Sequence, residues 1–232
     1  MLKYITYLII GASLTACSLF LNQSATISYE VVNRQTQDTT GLFFLRAYQD
    51  TIRLEFNEII AHTSEPLVLS RPCSNLMNWC ADAVFISQTR NVRLSEPVIC
   101  LLNTGGLRAS FGAGNLTLAD FYKLMPFDNR VVWVHLPVSK LKDISNYLLQ
   151  SDGEPISNCV FKAQQLQIPN LLPSHQYIWV LTSDFLANGG DQMTFFLNEE
   201  KTETNLLLRD IFIAEAKQQK VLLLDSKSRY IK

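Results

Sequence analysis

A single mixed α/β domain (α+β in class) is the fold the sequence predicts, and three observations carry the prediction. Apolar residues recur at helical spacing in some segments and alternate, or cluster as β-branched runs, in others. The two kinds of segment interleave along the chain, and nothing repeats internally. The composition is globular, with 47% of the 232 residues hydrophobic and 18% charged. Lys and Arg number 20 against 21 Asp and Glu, so the net charge is -1 and nothing points to nucleic acid as a partner.

Residues 1–16 predict an export signal outside the fold. Lys3 supplies a positive start and Tyr4 to Ala12 an apolar stretch, followed by small residues. The run is shorter than the ~20 apolar residues that a spanning helix needs. Leu14-Thr15-Ala16-Cys17 then has an aliphatic residue, two small residues and a cysteine, which resembles the lipobox of bacterial lipoproteins. That resemblance implies lipidation of Cys17 as the mature N-terminus and a membrane anchor of several acyl chains. Ser18, in place of Asp, favours the outer membrane, giving a cell-envelope location facing the periplasm or the surface. Residues 17–26 read as the lipidated N-terminus and tether, and 27–232 as the domain.

Within the domain, Ile27 to Val32 alternates as a strand. Ile52, Phe56, Ile59 and Ile60 share one helical face, and so do Leu76, Cys80, Ala83 and Val84. Pro97 to Leu102 is a short apolar run that ends at Asn103-Thr104-Gly105-Gly106, which suits a buried strand leading into a turn. Thr117 to Leu124 has a capping threonine and stops before Pro126, as a short helix should. Arg130 to Leu136 reads as a strand, Leu141 to Leu149 as a helix and Tyr177 to Thr182 as a strand. A tight turn at Asn188-Gly189-Gly190-Asp191 and a helix from Leu206 to Lys217 complete the order.

Four cysteines follow Cys17: Cys73, Cys80, Cys100 and Cys159. Four permit three pairings, and the sequence does not choose among them. Cys73 and Cys80 fall seven apart on one expected helix, about 10 Å of rise and too far for a bridge, so buried free thiols are the simpler reading.

Three segments combine glycine, polar side chains and aromatics at loop positions, where ligands usually bind. They are Asn103 to Arg108, Leu124 to Asn129 and Thr182 to Asp191. Each alone is an ordinary turn. In this order and spacing they resemble the C-terminal domain of the 5'-nucleotidase family, whose hallmarks are N-x-G-G-[IL]-R, P-F-x-N and [YF]-L-A-N-G-G-D stretches. Arg71-Pro72-Cys73-Ser74 followed by Ala81-Asp82-Ala83, and Ser228-Arg229-Tyr230-Ile231 at the end, extend the resemblance from about residue 48 to 232. The sequence departs from the family at Cys73, where Glu is common, and at Val138, where Gly is usual.

The resemblance implies a layered α/β/β/α domain and assigns roles by position. Phe127 and Phe185 would sandwich a nucleobase, since every base offers a π-face for stacking. Asn103 would bond the base edge, Asp191 the ribose hydroxyls, and Arg108 and Arg71 ribose or phosphate oxygens. Gly105, Gly106, Gly189 and Gly190 would let the backbone pass close to the ligand.

A complete member of the family also has a metallophosphatase domain, with D-x-H, G-D-x-x-D, G-N-H-[DE] and G-H-x-H stretches for two metals. None of these stretches occurs in this sequence, and His62, His135 and His175 are scattered, so no metal ligands and no cofactor are assigned here. Two readings follow. The chain is the recognition part of a split 5'-nucleotidase-type phosphoester hydrolase in nucleotide catabolism, completed by a separate metallophosphatase that carries the divalent metals. Alternatively it is a non-catalytic envelope lipoprotein that binds a nucleoside or nucleotide.

Overall fold

The central element is a five-stranded mixed sheet in the order β5-β2-β8-β4-β9, in a computed structural model that describes residues 49–232. Its strands are β2 (Val98–Leu101), β4 (Arg130–Pro137), β5 (Ile156–Ser157), β8 (Tyr177–Ser183) and β9 (Glu200–Leu207). β2 and β8 run parallel, whereas β4 is antiparallel to both β8 and β9, and β5 antiparallel to β2. The remaining strands form a two-stranded sheet of β1 (Ile59–Thr63) and β3 (Gly114–Thr117), and a three-stranded sheet of β6 (Val160–Lys162), β7 (Gln165–Gln167) and β10 (Tyr230–Ile231).

Residue parity explains why both faces of the central sheet are covered. Successive side chains on a strand point to opposite faces. Val98 and Cys100 of β2, Val131 of β4 and Leu181 of β8 enter one core. Their alternates Ile99, Leu101, Val132, Val134, Ile178 and Val180 enter the other. An apolar run without polar interruption is what a strand covered on both sides requires.

The first core is closed by α2 (Asn75–Thr89), α3 (Leu118–Leu124) and α6 (Leu208–Gln219), through Leu76, Trp79, Phe121, Ile211 and Phe212. The second is closed by α4 (Leu141–Gln150) with Ile144 and Leu148, and by the small sheet with Phe161, Leu166 and Tyr230. Helices therefore pack against one face of the central sheet, and a second sheet with a helix against the other, consistent with the mixed layered fold expected.

Local signals set several boundaries. Ser74 caps α2 by accepting from the Met77 amide at 3.3 Å. Thr117 and Asp120 form a reciprocal capping box at the start of α3. Cys73 precedes that Ser74 cap, so it does not share the helix with Cys80 as expected; the helix begins after it. The cysteines of the described residues are free, and burial pushes the thiols of Cys80 and Cys100 up and that of Cys159 to about 12. These last three are protonated packing groups.

Two boundaries differ from expectation. Ile52 and Phe56 lie on α1 (49–56), but Ile59 and Ile60 belong to β1, paired antiparallel with β3. Two adjacent β-branched residues favour a strand once a partner edge is available. Leu206 and Leu207 end β9, so the last helix starts at Leu208. Val138, at the family's glycine position, opens a 3-10 turn with its amide on the Gln176 carbonyl at 2.9 Å. The expected signal, Cys17, the tether and the Ile27 to Val32 strand lie outside the described residues. No helix among the described residues is long and apolar enough to cross a membrane.

Candidate functional site

Sheet topology brings the three loop segments together. Because β2 and β8 are parallel neighbours, the loops that follow them leave at the same end of the sheet. Those loops contain Asn103 to Arg108 and Asp184 to Asp191. Because β4 is antiparallel to β8, with Val131 opposite Ser183, the loop that precedes β4 arrives at that end too. It contains Phe127 and Asn129.

The result is a cleft of about 300 Å³ lined by Asn103, Gly105, Gly106, Arg108, Phe127, Asn129, Phe185 and Asp191. Phe127 is 43% and Phe185 47% exposed, whereas Phe111, Phe121, Phe161, Phe195, Phe196 and Phe212 are buried. Both rings line the same cleft, as a stacking site requires. Asn103 is nearly buried, and its amide Nδ2 donates to Asp191 Oδ2 at 2.5 Å, joining the first and third loops directly. Arg108 is exposed at the cleft, with its guanidinium at 3.3 Å from the Gly105 carbonyl and no ion pair among the described residues.

Each loop is held from behind. Phe185 sits in α5 (Asp184–Ala187), a single turn capped by Ser183, whose hydroxyl accepts from the Leu186 amide. A Cβ at Gly190 would lie 2.5 Å from the Phe185 ring and 2.6 Å from its carbonyl oxygen, so only glycine lets the chain fold back on that ring. A Cβ at Gly106 would lie 2.8 Å from Asn103 Oδ1. Asp191 has φ 49, a left-handed backbone rarely taken by non-glycine residues, and this turns its carboxylate toward Asn103.

The Phe127 loop rests on Arg209 of α6. Its guanidinium pairs with Asp128 at 2.6 Å, reaches the Met125 carbonyl at 3.3 Å and lies 4.3 Å over the Tyr122 ring. The turn at Asn103 rests on Glu154, which is almost fully buried. Glu154 accepts from the Thr104 amide at 2.6 Å and hydroxyl at 2.7 Å, and from Arg71 at 2.8 Å. Burial, reinforced by Glu154 and Asp191, pushes the Tyr147 phenol up to about 12, so it stays a neutral donor beside them.

Of the residues named from the sequence, Arg71, Gly189 and Gly190 do not line the cleft. Arg71 is turned onto Glu154 and the carbonyls of Ser151 and Gly153. Its carboxylate partner is Glu154. Asn129 lines the cleft and was missed, although the P-F-x-N pattern contains it. Glu154, Tyr147 and Arg209 were missed because no short-range pattern marks them. Asp82 and Arg229, within the flanking stretches noted above, form a two-pronged pair at 2.6 and 2.7 Å far from these loops in sequence.

The histidines are engaged elsewhere. His62 bonds Asn115, His175 accepts from the Leu172 amide, and His135 stacks between Tyr177 and Trp179 at 4.5 and 4.4 Å. Among the described residues no three His, Cys, Asp or Glu side chains are placed to share a metal ion, so this donor set does not fit a dinuclear centre.

Comparison with known proteins agrees with the motifs. The family model of the 5'-nucleotidase C-terminal domain matches residues 59–147. An apyrase from Tabanus yao is 25% identical over 194 residues, covering 68% of this chain and 34% of its own length. A 5'-nucleotidase from Vibrio parahaemolyticus is 27% identical over 143 residues, covering 58% and 24% respectively. The chain thus spans about a third or less of these curated relatives. Among solved structures, a 5'-nucleotidase precursor from Thermus thermophilus has a TM-score of 0.63 at 22% identity, covering 84% of this chain and 43% of that one. An NAD nucleotidase from Haemophilus influenzae has a TM-score of 0.62 at 16% identity, covering 84% and 42%. Both share the fold, and the resemblance read from the sequence is borne out.

Proposed function

We propose that this chain, similar in motifs and fold to the C-terminal domain of 5'-nucleotidases, binds a nucleoside or nucleotide in the cleft between Phe127 and Phe185. The observation that carries the reading is convergence: residues from three distant motifs, each unremarkable alone, line a single cleft. The base stacks between the two rings, Asn103 and Asn129 offer amides to its edge, and Asp191 accepts from sugar hydroxyls. Arg108, without an anionic partner, faces ribose or phosphate oxygens.

The chain serves as the recognition part of a 5'-nucleotidase-type phosphoester hydrolase in nucleotide catabolism. The divalent metals and the bond-breaking step belong to a separate metallophosphatase polypeptide, and the lipid on Cys17 holds the recognition part at the outer membrane. The donor set described above supports placing the metals elsewhere. No step of hydrolysis is therefore assigned to residues of this chain.

Thermal unfolding tests the reading. Adenosine or AMP at 100 times its dissociation constant should stabilise the protein by about 2.7 kcal/mol, visible as a raised melting temperature. Phe127→Ala and Phe185→Ala should each remove most of that shift while the unliganded melting temperature changes little, since both rings are half exposed. An undiminished shift in both variants would exclude the stacked pair. The same preparation, supplied with divalent metal and AMP, should release no phosphate; sustained turnover would overturn the division of labour.

A further inference from the structure

We infer that Arg71 serves the cleft as a positioning residue, acting through Glu154 and Thr104, and is not a ligand for ribose or phosphate oxygens. The inference rests on the reading of the cleft as a nucleoside or nucleotide site, and it reverses the role that family resemblance gives this arginine.

The geometry is specific. One terminal nitrogen of Arg71 donates to the carbonyls of Ser151 and Gly153, and the other to Glu154 Oε1 at 2.8 Å. The Glu154 side chain is 2% exposed, and that guanidinium is the cation it is paired with. Its second oxygen holds Thr104 twice, by the backbone amide at 2.6 Å and the hydroxyl at 2.7 Å. Thr104 lies between Asn103 and Gly105, both of which line the cleft, whereas Arg71 does not. A buried carboxylate deprived of its counter-ion is drawn toward water. That movement loosens its hold on Thr104 and so on the turn that carries Asn103.

This arrangement has a consequence for ligand charge. Arg71 and Glu154 neutralise each other, and among the described residues Arg108 is the one basic residue in the cleft lining. A defect at Arg71 therefore acts on the part of the ligand common to a nucleoside and its phosphate ester. A direct phosphate contact would act on the ester alone.

Titration calorimetry with adenosine and AMP separates the two roles. Arg71→Gln should weaken both ligands by the same factor, on the order of tenfold, because the turn is displaced for each. Glu154→Gln should do the same, although Glu154 meets neither ligand. Thr104→Ser, which keeps both donors, should bind like the wild type, and Thr104→Val should not.

Loss of AMP affinity in Arg71→Gln with adenosine unaffected would overturn the inference, as would wild-type affinity in both Glu154→Gln and Thr104→Val. Should Arg71→Gln fail to fold, those last two variants decide alone. A wild-type protein that binds neither ligand would overturn the reading of the cleft itself and this inference with it, a result distinct from wild-type binding that the variants leave intact.

Discussion

Gly190 shows how much a single residue decides here. Its missing side chain leaves room for the Phe185 ring, which would stand 2.5 Å from a new Cβ. Gly190→Ala must push the ring out of place, because the same Cβ also meets the Phe185 backbone at 2.6 Å and cannot be relieved by a side-chain rotation alone. Base stacking on one aromatic ring is worth about 1–3 kcal/mol, so adenosine affinity should fall by roughly five- to 150-fold. Calorimetric titration checks this, and unchanged affinity would show that Phe185 does not bear on the ligand. The phenylalanines themselves could be chosen from the sequence because each stands in a stretch that resembles a motif of the 5'-nucleotidase C-terminal domain. The reason Gly190 must be glycine could not, since it depends on a ring brought back over it by the turn.

At the level of elements, α6 and the loop before β4 form one unit through Arg209. Asp128 is well exposed, so removing its partner strands no buried anion, and Arg209 Nε already lacks a hydrogen-bond partner. Arg209→Met keeps an apolar stem but loses the guanidinium over Tyr122 and its bonds to Asp128 and the Met125 carbonyl. It should cost about 1 kcal/mol of stability at most. Amide exchange in the Met125–Asn129 loop should nevertheless speed up, with weaker adenosine binding. Exchange at the wild-type rate would remove Arg209 from the support of that loop.

The helices and the two-face strands were legible in the sequence because burial imposes a period. Leu76, Cys80, Ala83 and Val84 repeat as a helix must, and Val98 to Leu101 is apolar throughout, as a strand covered on both sides must be. β9 was not legible. Its sequence Glu200-Lys201-Thr202-Glu203-Thr204-Asn205 lies at the sheet edge, mostly exposed on both faces, so no alternation is selected. Its bulge beside Val131 and its charges are what an edge strand uses to discourage further pairing. The supports Glu154 and Arg209 were illegible for a related reason: each acts across more than 45 residues, through contacts no local pattern encodes.

On the scale of the whole molecule, residues 47–232 form one compact unit with two cores, one on each face of the central sheet. The proposed attachment to the membrane is through Cys17; no described helix of this unit is long and apolar enough to span a bilayer. Cys17→Ser should move the protein from the membrane fraction to the soluble envelope fraction with its melting temperature unchanged. Retention in the membrane fraction would exclude the lipid anchor.

The two rings of the cleft hang from β8 and β4, which are hydrogen-bonded neighbours in that sheet. The roots of the loops that carry them are consequently one inter-strand spacing apart, about 4.8 Å by the backbone ladder. A hinge between domains would add a conformational step before capture; a ladder adds none. Little ordering entropy need be lost when a flat ligand slides in, so residence time, and not rate of entry, is the quantity that evolution can tune by changing what lines the walls.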